Sequence, residues 1–131
     1  MGFFTDLFGN NASGKDEVTH AWFDSEEELD QLIERSKSKP VAIFKHSTRC
    51  NISDMAKHRI ERNWDFPQDE LEIHFLDLIT FRNVSNKIAA MLQVEHASPQ
   101  VILIKDGQAV YHTSHNDISV SGLREALNGN A

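Results

Sequence analysis

The sequence predicts an α/β domain in which helices flank a central mixed sheet of four to five strands. Three observations carry that expectation. Two short runs, VAIF (41–44) and QVILIK (100–105), are apolar at successive positions and rich in β formers, as strands buried on both faces are. Segments of helical periodicity separate the strand-like runs, so at least two strands are joined by a helical crossover and run parallel. Asp106-Gly107 lies between QVILIK and QAVYHT (108–113), a strong hairpin signal that adds an antiparallel strand.

Taken in order, residues 1–16 are rich in Asn, Gly and Ser and read as an N-terminal arm, with residues 17–131 as the folded domain. VTHAWF (18–23) alternates like a short edge strand. SEEELDQLIERSK (25–37) reads as a helix: Ser25 and Glu28 form a capping box, and Leu29, Leu32, Ile33 and Ser36 recur on one face. VAIF follows as a central strand. After a polar loop, Ile52, Met55, Ala56, Ile60 and Trp64 define the apolar stripe of a second helix, stopped at Asp65-Phe66-Pro67. LEIHFLDLI (71–79) alternates as a strand. NVSNKIAAMLQ (83–93) is a helix with Val84, Ile88, Met91 and Leu92 inward. The hairpin comes next, then SVSGLREALNG (119–129), a last helix with Leu123, Ala126 and Leu127 inward and Gly129 past its end.

Composition narrows the classes. Apolar residues make up 40% of the 131, which suits one packed domain and not a disordered chain. No apolar stretch approaches the ~20 residues that cross a bilayer. The N-terminus lacks the charged and apolar regions of an export signal, and the single cysteine allows no internal disulfide; both point to a reducing cytoplasm. Net charge is −7, which argues against nucleic-acid binding. Lys45, Arg49, Lys57, Arg59 and Arg62 against Asp54 and Glu61 nevertheless make residues 45–62 basic by +3.

That basic stretch contains Cys50, in KHSTRCNIS (45–53), where a strand gives way to a helix. The reactive form of cysteine is the thiolate. A helix start offers unpaired N–H groups and partial positive charge, and nearby cations add to it. Cys50 is therefore the candidate nucleophile. The N–H groups of Ile52 and Ser53 and the charges of Lys45 and Arg49 are expected to support its anion. His46 is a candidate to orient it. Ser53, three residues on, replaces the resolving thiol of a Cys-x-x-Cys pair and could hydrogen-bond the sulfur. Ser98-Pro99 enters the second buried strand, where a proline donates no ladder bond and a cis peptide would leave a backbone edge free.

Strand, capped Cys-x-x-Ser, parallel strand, helix, Ser-Pro, hairpin and final helix together resemble the thioredoxin fold. FKHSTRCNIS (44–53), AWFDSEEEL (21–29) and SPQVILIKDGQAVYHTSHNDIS (98–119) further resemble the monothiol bacilliredoxins, single-cysteine proteins of the bacillithiol system, over roughly residues 18–128. The resemblance implies a monothiol thiol–disulfide oxidoreductase. Cys50 would take a low-molecular-weight thiol such as bacillithiol from an S-thiolated client protein, and a recycling reductant would then remove it. No permanently bound cofactor or metal is implied. Ser98 and Pro99 match the family's cis-proline site for an extended substrate. The family's Thr-Cys-Pro-Ile-Ser reads here as Arg49-Cys50-Asn51-Ile52-Ser53, so Asn51 stands where proline is usual and is free to contact substrate.

Two other classes fit parts of the sequence. A monothiol-glutaredoxin-like iron–sulfur carrier would read Cys-Gly-Phe-Ser, where this chain has Asn51-Ile52. A non-catalytic binding module on the same scaffold would use the arm and the acidic Glu26–Glu28 turn. His112 and His115 lack partners at metal-ligand spacing, and no phosphate loop or Ser-His-Asp motif is present. Asp77 reads as a solvent-facing strand end.

Overall fold

The computed structural model describes residues 21–129; the expected arm lies outside them. The first strand, β1 (Trp22–Phe23), is short. Ser25 then caps α1 (Glu26–Arg35): its Oγ accepts from Glu28 N–H at 3.1 Å, while the Glu28 carboxylate accepts from Asp24 N–H at 3.0 Å. This is the capping box expected of Ser25 and Glu28. There follow β2 (Val41–His46), α2 (Asn51–Asn63), β3 (Glu72–Asp77), α3 (Arg82–Leu92), β4 (Gln100–Lys105), β5 (Gln108–Ser114), a 3-10 turn (His115–Asp117) and α4 (Val120–Leu127).

The five strands form one sheet in the order β1-β3-β2-β4-β5. β1, β3 and β2 run parallel, and the β2–β4 and β4–β5 pairs are antiparallel. Alternation sorts the strand side chains onto two faces. Ala42, Phe44, Ile73, Phe75, Val101 and Leu103 pack against α2 and α4. Val41, Ile43, Leu76, Ile102 and Ile104 pack against α1 and α3. β2 is central and wholly buried, as its apolar run requires. The Asp106-Gly107 turn has positive φ at both residues (53° and 76°), which the type I′ hairpin needs and which Gly tolerates. The buried end of α1 holds this turn: Ser36 O accepts from Asp106 N–H and Ser36 Oγ from Gly107 N–H, each at 2.9 Å.

Three expectations are corrected. β2 does not stop at Phe44 but continues through Lys45 and His46, both buried, because Lys45 pairs with Leu76 and Gln100 on its two sides and His46 still pairs with Asp77 of β3. In α2, Ser53, Ala56, Ile60 and Trp64 face the sheet, while Ile52 and Met55 lie on the flank, 42% and 59% exposed. Residues at i, i+3, i+7 and i+11 already fill the stripe from Ser53, leaving no room for its neighbours. In α3, Val84, Ser85, Ile88 and Leu92 face inward for the same reason, and Met91 is exposed.

Candidate active site

β2 delivers the chain to a tight loop at one end of the sheet. Leu78 N–H, beyond β3, donates to His46 O at 3.0 Å, and Cys50 N–H donates back to Ser47 O at 3.3 Å. Ser47 is buried; Thr48 and Arg49 are exposed. Cys50 is the N-cap residue of α2, in extended conformation, and its carbonyl accepts from Asp54 N–H at 3.1 Å. Its side chain is half-buried and accepts no capping bond from the first-turn amides, so the N–H groups of Ile52 and Ser53 do not hold the sulfur in this arrangement.

Ser53 and His46 do something other than contact the sulfur. Ser53 is fully buried; its Oγ lies 2.6 Å from His46 Nδ1 and accepts from Ser47 N–H at 2.9 Å. One hydroxyl thus joins the strand end, the loop and the first turn of α2. His46 is buried, and burial pushes its imidazole below the ordinary value of 6.5, against the opposing pull of the Asp54 carboxylate 3.5 Å from Nε2. Trp22 covers the ring edge-on at 6.0 Å. Neither Ser47 nor Trp22 carries a sequence signal for this role, because the contacts join distant elements.

The basic stretch is not one patch. Lys45 is fully buried on the α1/α3 face of the sheet, and its Nζ donates to Ser85 O at 3.2 Å, so its charge is directed away from α2. Lys57 pairs with Glu61. Arg59 donates to Ile118 O and His115 O, each at 3.1 Å. Of the residues expected around the sulfur, Arg49, Asn51 and Ile52 remain exposed beside Cys50 in the chain. Asp77, at the end of β3, caps its own turn by accepting from Ile79 and Thr80 N–H groups.

Ser98 and Pro99 come to the same end of the sheet. Lys45 is registered opposite Gln100, so one further step along the antiparallel ladder brings Pro99 alongside His46. The Ser98–Pro99 peptide is cis. Pro99 is buried and its carbonyl accepts from His115 N–H at 3.2 Å. The backbone N–H and C=O of half-exposed Ser98 pair with no backbone group among the described residues. Arg59 grips the carbonyl of the same His115, so α2 and the Pro99 segment are joined through one turn. The arrangement places a half-exposed thiol, a helix start and an open backbone edge at one end of the sheet. No group of three or more metal-ligating side chains occurs among the described residues.

Comparison with known proteins bears on the fold and the family. A solved chain described as having a thioredoxin fold, and assigned provisionally as an oxidoreductase, superposes with a TM-score of 0.71 at 28% identity, over 88% of this chain and 98% of its own. Thioredoxin from Malassezia sympodialis matches at 0.63 and 22% identity over 84% of this chain and 89% of its own. Fasciola hepatica thioredoxin matches at 0.66 and 18%, over 85% and 99%. The fold is therefore that of the thioredoxins. The family model described as "Monothiol bacilliredoxin BrxC" matches residues 22–123, which span β1 to the first half of α4 and include Cys50, Ser53, Ser98 and Pro99. With its one thiol at the head of α2 in a thioredoxin fold, the chain belongs to the monothiol bacilliredoxin family.

Proposed function

We propose that this protein is a thiol–disulfide oxidoreductase that works through Cys50 alone and removes a low-molecular-weight thiol, bacillithiol or a close analogue, from S-thiolated client proteins. The observation that supports it most is the position of the one thiol: half-exposed, heading α2, at the sheet end where Ser98 leaves backbone groups open. The Cys50 thiolate attacks the small-thiol sulfur of the mixed disulfide. The client thiolate leaves, and a new disulfide joins Cys50 to the small thiol. A second thiol, the recycling reductant, then attacks that disulfide and frees Cys50. Each exchange conserves electrons, and the reductant supplies the pair that the client gained. The cycle needs no resident cofactor and suits a reducing compartment such as the cytoplasm.

Ser53 cannot act as a resolving group, and its hydroxyl is committed to His46 and Ser47. The second exchange must therefore come from outside the chain. Exposed Arg49 and Asn51 are the side chains offered to the carboxylates of the small thiol. Intact mass spectrometry after mixing with bacillithiol disulfide, glutathione disulfide and coenzyme A disulfide in turn tests the reading. The expected result is a bacillithiol adduct that Cys50→Ser abolishes. No adduct from any of the three would overturn it, and preference for another disulfide would reassign the small thiol.

A further inference from the structure

Lys45 is a fully buried ammonium that forms no salt bridge among the described residues. Its Nζ donates to Ser85 O in the first turn of α3 at 3.2 Å and lies 3.4 Å from His96 Nδ1, in the connection from α3 to β4. Burial, with the charges of Lys45 and Arg82, pushes the His96 imidazole below its ordinary value, so the neutral ring can accept at Nδ1. Gln100 is registered opposite Lys45, and the two side chains leave the same face of the β2–β4 ladder side by side. Gln100 Nε2 donates to Glu95 O at 2.9 Å, while its Oε1 is buried without a partner among the described residues. One rung of the sheet thus holds two consecutive residues of the connection, Glu95 and His96. Two residues later the chain reaches Ser98 and Pro99.

This rung is costly. Burial lowers the Lys45 ammonium from 10.5 to about 8, and an apolar side chain of the same length would fill the space without that cost. Lys45 does not serve Cys50 directly, because its charge is directed to the other face of the sheet. We infer that Lys45 and Gln100 are positioning residues that fix the 95–99 connection, so that the open backbone of Ser98 is presented beside Cys50 to the peptide part of a mixed disulfide. The inference rests on the proposed function and adds a division of labour. The sulfur end of the substrate is read by the Cys50 loop, and the peptide end by a segment held from beneath.

The test compares two substrates that share a small-thiol sulfur: a mixed disulfide of bacillithiol with a short cysteine peptide, and the symmetric bacillithiol disulfide, which has no peptide. Lys45→Met should keep a cooperative thermal transition with Tm no lower than the parent's. For the peptide substrate its KM should rise about tenfold, the loss of roughly one to two backbone hydrogen bonds, with kcat nearly unchanged. Its rate with the symmetric disulfide should stay within about twofold. His96→Ala, on the loop itself, should give the same split and keeps the test open if Lys45→Met folds poorly. An unchanged peptide KM in both variants overturns the inference. So does an equal loss on both substrates, which would place Lys45 in the service of the sulfur. A parent chain inert toward both disulfides defeats the proposed function first, and the inference with it.

Discussion

At Ser53 one buried hydroxyl holds His46 Nδ1 and Ser47 N–H, neither of which has another partner among the described residues. Removing it leaves both buried and unpaired, and an orphaned buried polar group costs about 1–3 kcal/mol. Ser53→Ala should therefore lose about that much unfolding free energy, read as a lower urea midpoint, and its Cys50 should react more slowly with bacillithiol disulfide as the loop loosens. A midpoint equal to the parent's would show that the hydroxyl holds nothing. Lys45 is the opposite case. The displacement of its ammonium from 10.5 to about 8 corresponds to roughly 3 kcal/mol of unfavourable charge burial. Its bond to Ser85 O adds little, since that carbonyl lies in a helix and already has a backbone partner. Lys45→Met should thus raise stability at neutral pH by about 1–3 kcal/mol, read as a higher urea midpoint. A residue that weakens the fold yet is needed for peptide processing is the signature of a functional side chain, whereas a structural lysine would give a destabilised variant.

Among elements, α2 matters because its N-terminus carries Cys50 and its flank carries Arg59. Arg59 donates to His115 O and Ile118 O, and His115 N–H donates to Pro99 O, so the helix and the Pro99 segment are tied through one turn. Arg59→Met should cost about 1–3 kcal/mol, as hydrogen bonds to a charged group do, and should speed amide hydrogen exchange at His115 and Ile118 ahead of the sheet. Uniform exchange across the chain would refute the link. The elements themselves were legible because apolar period and capping chemistry are local: Ser25 with Glu28, the VAIF run and Asp106-Gly107 each declare their structure within a few residues. What was not legible depends on contacts between elements. Lys45 and His46 read as loop because polar and charged side chains are rarely buried, yet β3 beside both and β4 beside Lys45 keep them in the ladder. The stripe of α2 read one residue early because Ile52 and Met55 are apolar, whereas Ser53 takes the inward place through its bond to His46. At the site, the thiol at a helix start was legible; that Lys45, Lys57 and Arg59 serve the scaffold was not, because charge counted along a sequence carries no direction.

Across the whole molecule, those pairings leave an acidic protein in which His46, His74, His96 and Glu72 are displaced in one direction. Burial lowers His46, His74 and His96 from 6.5. Burial raises Glu72, but hydrogen bonds from Lys39, His74 and Arg35 outweigh it and hold the carboxylate at about 2, against an ordinary 4.5. In each case the folded form has the lower value, so the unfolded chain binds protons first as pH falls. The histidine contributions are complete above 6.5 and fade below it, and the Glu72 contribution is complete above 4.5 and is lost toward 2. Acidification also reduces the net charge of −7, which relieves repulsion and acts the other way. That long-range effect is screened beyond about 8 Å at physiological ionic strength, while the pairs around Glu72 are in contact at 2.7–3.0 Å and are not. The local groups therefore win in salt. Urea midpoints at physiological ionic strength should fall in two stages, first below pH 6.5 and again below 4.5. Glu72→Gln should remove most of the second stage and leave the first. A midpoint that holds steady or rises between neutral pH and 4.5 would mean that surface charge, and not these buried groups, governs the acid response of the fold.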